Sequence, residues 1–312
     1  MFYKDKVVLV TGGTGFVGTH IVQELLREGA KVRVSVRNRP MVIEDERIET
    51  VYADLTKQED CLSVSKGVDF IFHAAGAVSG AGGSMSGITT NLILTSQMLQ
   101  AAITAKVERF LLFSSSTGYP EMDHPVKEDE MWSAPPHPSV LGYGWMRRYF
   151  ERLGEFVSTT FGMKVSIVRP TAVYGRYDNF DSATSHVIPA LIRRAVAKEN
   201  PYIVWGSGRE VRDFLHITDL ARGCLLLLEK RACCDPVNIG YGKTISIKEI
   251  VYMILAAAEH NDADVVFDSS KPTTIPCRMV DTSKAKEVLG FEPMMTLEEG
   301  IADTVEWYKK LY

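Results

Sequence analysis

Apolar runs that open onto glycine alternate, along the first half of the chain, with longer stretches whose apolar residues recur every three or four positions. Val7-Val8-Leu9-Val10 runs into Thr11 and Gly12, the pattern of a strand buried on both faces. Val17, Ile21 and Leu25 follow at four-residue spacing, with Val22 and Leu26 alongside, and predict an amphipathic helix that stops at Gly29. The rhythm then repeats. Strands are predicted at 31–36, 48–55, 68–76, 109–113 and 165–170, and helices at 57–66, 89–105 and 143–161. Such alternation predicts an α/β fold, a doubly wound sheet of parallel strands. From about Tyr177 the rhythm breaks. The expected division is therefore 1–170 as a ligand-binding domain, with a returning segment about 211–240, and 171–210 plus 241–312 as a smaller C-terminal lobe.

Composition narrows the partners. Hydrophobic residues make up 46% and charged residues 24%, and the net charge of −4 gives no basic surface for nucleic acid or anionic lipid. No apolar stretch approaches the ~20 residues that cross a bilayer. Met1 to Lys6 leads straight into the first strand, so no signal peptide is expected and a cytoplasmic location is. The five cysteines lack CxxC spacing, which points to free thiols and no metal site.

The chemistry starts at Gly12, Gly15 and Gly18. Between a buried strand and a helix, glycines at this spacing allow a tight turn and close approach of backbone N–H groups to a pyrophosphate. A Rossmann-type dinucleotide site is predicted there, with Thr14, Phe16 and Val17 in the same turn. After the second strand, where an NAD site places an acid for the ribose hydroxyls, this chain has Arg37 and Arg39. Two guanidinium groups suit a 2′-phosphate, so NADP is expected over NAD. Asp54 and Leu55 are expected near the adenine, and small Ala74, Ala75 and Gly76 let the fourth strand's end approach the cofactor. His73 reads as a strand-end packing residue, and 76–87 as a mobile loop over the site. The fifth strand delivers Ser114 to Thr117 at the edge where ligands bind, and Tyr143 and Arg147 share one helix face.

The glycine turn, the Ser115 and Tyr143 pair, Arg169-Pro170-Thr171 with Val173-Tyr174-Gly175, and Arg212 to His216 together resemble the extended short-chain dehydrogenase/reductases of the nucleotide-sugar class. The likeness spans essentially the whole chain. In the second half, Asp178 to Phe180, Ser185 to Arg194, Val204 to Gly208 and Ser270 to Pro272 are similar to the GDP-L-fucose synthase family. That resemblance implies Tyr143 as the acid/base, Ser115 as the hydrogen-bond partner of the reacting oxygen, and Pro170 beside the cofactor. It implies a nucleotide-sugar substrate held by Ser116, Asn179, His186, Val187, Arg194, Trp205, Arg212 and Lys271, with Arg212 on the diphosphate and Arg194 behind it. A homodimer through the helices at 89–105 and 143–161 is expected by the same analogy.

Three residues depart from the family pattern. Arg147 stands where a lysine is usual, Thr117 where the synthases carry a cysteine acid/base, and Ala172 where an asparagine is expected. His186, the other epimerisation residue, is present. The expected activity is an NADP-dependent epimerase/reductase acting at C4, with C3 or C5 as further positions, of a GDP- or other nucleotide-linked 4-keto-6-deoxy sugar. The alternatives are a redox-neutral 4-epimerase that keeps its cofactor, and a sensor of NADP or a nucleotide sugar without chemistry.

Overall fold

The computed structural model describes residues 1–77, 84–271 and 275–311. Through residue 170 strand and helix alternate: β1 (Val7–Thr11), α1 (Phe16–Arg27), β2 (Lys31–Val36), β3 (Ile48–Tyr52), α2 (Gln58–Ser65), β4 (Phe70–His73), α3 (Met85–Thr104), β5 (Arg109–Phe113), α4 (Leu141–Phe161) and β6 (Lys164–Pro170). The remainder holds β7 (Ala172–Tyr174), α5 (Val187–Val196), β8 (Tyr202–Trp205), β9 (Val211–Arg212), β10 (Phe214–His216), α6 (Ile217–Lys230), β11 (Val237–Ile239), β12 (Ile245–Ser246), α7 (Ile247–Ala257), β13 (Val265–Asp268), β14 (Cys277–Arg278), α8 (Ser283–Leu289) and α9 (Leu297–Lys309).

Seven strands form one all-parallel sheet in the order β11-β6-β5-β4-β1-β2-β3. The order reverses at β1. Connections leaving β1 and β4 therefore diverge to opposite faces and open a crevice at the carboxyl ends of those strands. Both faces of the sheet are covered, α1 and α6 contributing to one apolar cluster and α2, α3 and α4 to the other. That double burial is why β4 and β5 read as continuous apolar runs. A third cluster, with Ile192, Ile254 and Ile301 fully buried, joins α5, α7 and α9 beside the short sheets β13-β8 and β12-β9-β14.

Two helices start earlier than the apolar spacing predicts, one from a side-chain cap and the other from the turn that precedes it. α3 begins at Met85 because the Ser84 side chain accepts the Gly87 N–H. α4 begins at Leu141, directly after a single 3₁₀ turn at Pro138–Val140. Of the loop expected at 76–87, residues 78–83 lie outside the described residues. Among the described residues no helix is long and apolar enough to cross a membrane, and no cluster of three or more His, Cys, Asp or Glu could hold a metal.

Candidate active site

At the end of β1 the chain turns on Gly12, whose φ of +69° lies in the left-handed region. A Cβ there would come within 2.8 Å of the Ala75 backbone, so the β1 turn and the end of β4 touch. At Gly18 an added Cβ would sit on the Gly12 carbonyl oxygen. Gly15, the residue before α1, has no side chain to cap the helix, and no acid occupies the first turn. A cradle lined by backbone, at the positive end of a helix, fits a dinucleotide pyrophosphate. Thr14 lies in this turn, half-buried. Arg37 and Arg39 are exposed just past β2. The Asp54 carboxylate accepts the Thr56 N–H and O–H, which with the nearby Lys57 and Arg37 charges holds it below the usual carboxylate range. Leu55 is buried in the core beneath it.

From this cradle a cavity of about 690 Å³ extends across the sheet edge. Phe16, Val17, Ala74, Ala75 and Gly76 line its near end, Ser115, Ser116, Thr117, Tyr143, Arg147 and Pro170 its middle, and His186, Val187 and Arg212 its far end. Segments separated by as much as 262 positions, from Phe16 to Arg278, thus meet in one space.

The middle is ordered by hydrogen bonds. Arg147 donates from Nη2 to the Tyr143 hydroxyl oxygen at 2.5 Å and from Nη1 to the Phe113 carbonyl at 2.8 Å, with its guanidinium 4.8 Å from the Tyr143 ring centre. Donation by this fixed cation holds the hydroxyl oxygen and leaves the phenol's own proton to point into the cavity. Ser115 Oγ accepts two bonds, from the Thr117 N–H at 3.2 Å and the Thr117 hydroxyl at 2.8 Å. The Ser115 proton is thereby left to be donated. Ser114, one residue earlier, is different: its hydroxyl is committed to Glu151 at 2.5 Å, and Glu151 is locked to Arg169 by two bonds of 2.8 and 2.6 Å. Arg169 continues to the Tyr119 hydroxyl at 2.8 Å, and Tyr119 donates to Asn238 Oδ1 at 2.6 Å. This buried chain ties the end of β5 to α4, β6 and β11.

At the far end His186 precedes α5. It is an exposed residue that lines the cavity, and partial desolvation lowers its titration below the usual histidine range. Arg278, on β14, also lines the cavity although the apolar spacing gives no sign of it. It is buried, its Nη1 donates to the Tyr119 and Pro120 carbonyls, and its Nη2 has no partner among the described residues. Burial and the neighbouring Arg212 charge draw its titration down to about 10. Two like charges side by side in a buried wall are stabilised by an anion between them.

Four expected substrate contacts do not line the cavity. Arg194 is spent on Glu199 at 2.6 Å and the Ile203 carbonyl at 2.5 Å, with its guanidinium over Tyr202. Arg278, paired in register with Arg212, lines the cavity instead. Asn179 donates to Thr184, a lining residue, and so stands one layer back. Trp205 is 61% exposed at the end of β8, and Lys271 is exposed beyond β13.

Residues 8–240 match the NAD dependent epimerase/dehydratase family. A relative from Oryza sativa subsp. japonica described as probable GDP-L-fucose synthase 1 is 30% identical, over 98% of this chain and 94% of its own length. The dTDP-4-dehydro-6-deoxy-D-allose reductase of a Streptomyces species is also 30% identical, over 98% and 97%. Among solved structures, UDP-glucose 4-epimerase with UDP-glucose from Thermotoga maritima superposes with a TM-score of 0.87 at 26% identity, covering 98% of this chain and 99% of that one.

Proposed function

The chain belongs to the NAD dependent epimerase/dehydratase family, and we propose that it is an NADP-dependent epimerase/reductase acting at C4 of a nucleotide-linked 4-keto-6-deoxy sugar. The observation that carries this reading is the pair of directed protons: the Tyr143 phenol, held by Arg147 at 2.5 Å, and the Ser115 hydroxyl, with its acceptor sites filled by Thr117. Relatives named for a fucose synthase and for a 4-dehydro-6-deoxy sugar reductase support the substrate class.

Gly12, Gly15 and Gly18, the first turn of α1 and the Ala74 to Gly76 segment would hold the cofactor, and Arg37 and Arg39 favour a 2′-phosphate over a bare ribose. The chemistry supplied by a nicotinamide bound there would be transfer of a hydride to or from the sugar carbon. Tyr143 gives a proton to the oxygen at C4 in the reducing direction and takes it back in the other, its hydroxyl oxygen held by Arg147. Ser115 donates to the same oxygen. Arg212 and Arg278 clamp the diphosphate, with Ser116 and Val187 shaping the sugar pocket between. His186, neutral near pH 7, can accept a proton from a sugar carbon, whereas the Thr117 proton is committed to Ser115. One epimerised centre, not two, is the expected limit.

Two further parts of the reading concern the assembly and the cofactor's fate. Exposed Trp145, Tyr149 and Phe156 on α4, with Ile93 on α3, give a homodimer an apolar seam. The likeness to a 4-epimerase supports a second reading, in which the nicotinamide stays bound and returns its hydride. Incubation of the purified protein with NADPH and a panel of GDP-, UDP- and dTDP-4-keto sugars separates them. Loss of the reduced-nicotinamide absorbance supports the reductase, and interconversion with no net absorbance change supports the epimerase. Inertness toward the whole panel would sink both.

A further inference from the structure

His73 closes β4 in the wall of the cavity and is 3% exposed. Its ring nitrogens bridge two hydroxyls, Nδ1 lying 2.8 Å from Thr11 Oγ1 and Nε2 lying 3.3 Å from Thr95 Oγ1. Thr11 Oγ1 also accepts the Ala75 N–H at 3.1 Å. A hydroxyl has one proton to give and an imidazole nitrogen is either donor or acceptor, so the protons can be counted. With Ala75 donating to Thr11, the Thr11 proton goes to Nδ1, the ring proton sits on Nε2, and Thr95 receives it. The opposite tautomer aims Nδ1–H at Thr11 and leaves the proton of this fully buried hydroxyl without an acceptor among the described residues, whereas the Thr95 proton left over in the first arrangement has the cavity that Thr95 lines to point into. An unpaired buried donor costs roughly 1–3 kcal/mol. Burial, aided by the Arg147 charge, pushes the ring's titration down to about 3, so a charged imidazolium does not compete.

Ala75 is also the residue whose backbone lies against Gly12. The bond that His73 orients therefore sets how closely the β4 end approaches the β1 turn.

We propose that His73, as its neutral Nε2–H tautomer, is a positioning residue for the dinucleotide: it aims the Thr11 hydroxyl so that the Ala75 backbone is held against the Gly12 turn and the crevice between β1 and β4 keeps its width. This role rests on the dinucleotide part of the reading above and on none of its sugar chemistry.

Imidazole ¹⁵N spectra of the full chain test the tautomer, with the His73 signals assigned by their loss in His73→Asn. The expected result is a bare Nδ1 and a protonated Nε2 that hold unchanged from about pH 5 to about pH 9. A proton on Nδ1, an average of both tautomers, or a titration in that range overturns the proposal. Affinities for NADP⁺ and NAD⁺ test the consequence, each variant being measured below its own unfolding midpoint. Thr11→Val keeps the shape and loses the hydroxyl, and His73→Leu keeps bulk and loses the acceptor; each is expected to bind roughly tenfold more weakly. In His73→Asn the side-chain oxygen can stand where Nδ1 stands, and binding is expected to stay within about threefold. Undiminished affinity in Thr11→Val, or an asparagine variant no better than the leucine one, overturns it, as does an unaltered protein that binds neither dinucleotide. A protein that binds a dinucleotide but turns over no sugar counts against the proposed reaction alone.

Discussion

Gly12 and Gly18 make room for a ligand by having no Cβ, whereas Tyr143, Arg147 and Ser115 are useful only because hydrogen bonds fix where their polar atoms point. The end proposed for the dinucleotide is backbone against backbone. The end proposed for catalysis is side chains aimed by other side chains. The difference teaches where replacement is tolerated: the glycine turn has no freedom to accept an added atom, while at the other end arginine stands in a lysine's usual place, because the Phe113 carbonyl gives its second N–H a partner.

The comparison breaks first, and most strongly, at Tyr143. Tyr143→Phe removes one oxygen and no packing, so kcat is expected to fall by roughly 10²–10⁴-fold while dinucleotide affinity stays within about threefold. Steady-state rates beside a binding titration check this, and equal losses in both would show that the two ends are not separable. Gly18→Ala attacks the other end. Its methyl meets the Gly12 carbonyl, a backbone group that cannot swing away, and the expected cost is about 3 kcal/mol of stability with at least roughly 100-fold weaker dinucleotide binding. Chemical denaturation and the same titration read both effects.

A third variant pair sharpens the far end. Arg278→Ala is expected to raise KM for the nucleotide sugar by roughly 10–100-fold, in keeping with loss of charge-assisted bonds. Arg194→Ala should leave KM within about twofold, because its guanidinium is already spent on Glu199 and Ile203. If the two variants exchanged behaviour, the assignment of the diphosphate wall would be overturned.

The last effect, spread over several pH units, is one of pH. The folded protein holds His73 and His20 neutral, with titrations lowered from 6.5 to about 3 and about 4, burial being the first cause in each. The unfolded chain takes up these protons first as pH falls. Their contribution to stability is therefore whole above pH 6.5 and is lost below it, down to about pH 3 for His73 and about pH 4 for His20. The slope is roughly 1.4 kcal/mol for each pH unit and each histidine. His73→Asn should flatten the curve by one histidine's share; an unchanged slope in urea melts at several pH values would count against a neutral buried ring.

Much of this was legible in the chain itself. The run Val7 to Val10 into Gly12, the four-residue spacing of Val17, Ile21 and Leu25, and the placement of Ser115 at a strand end each follow from backbone geometry over a few residues. So does the shared face of Tyr143 and Arg147. Arg278 was not legible, because nothing local distinguishes it from an arginine in solvent, and neither was the diversion of Arg194 to its own helix end and strand. Among three adjacent serines the family resemblance singled out Ser115, but only the hydrogen bonds of the fold show that Ser114 is committed to Glu151 while Ser115 keeps a proton to give.

The sequence by itself determined the periodicities, and through them the doubly wound sheet, the phosphate turn and the helix face that carries the tyrosine, since these depend on neighbours a few positions apart. Tertiary structure alone decided which polar groups are spent and which remain available for chemistry. Thr11 meets His73 across 62 positions, Ser114 meets Glu151 across 37, and Arg278 meets the Tyr119 carbonyl across 159. A hydrogen bond is settled by the position and direction of its partner to within a fraction of an ångström, and between segments so distant in the chain only the packed fold supplies that position.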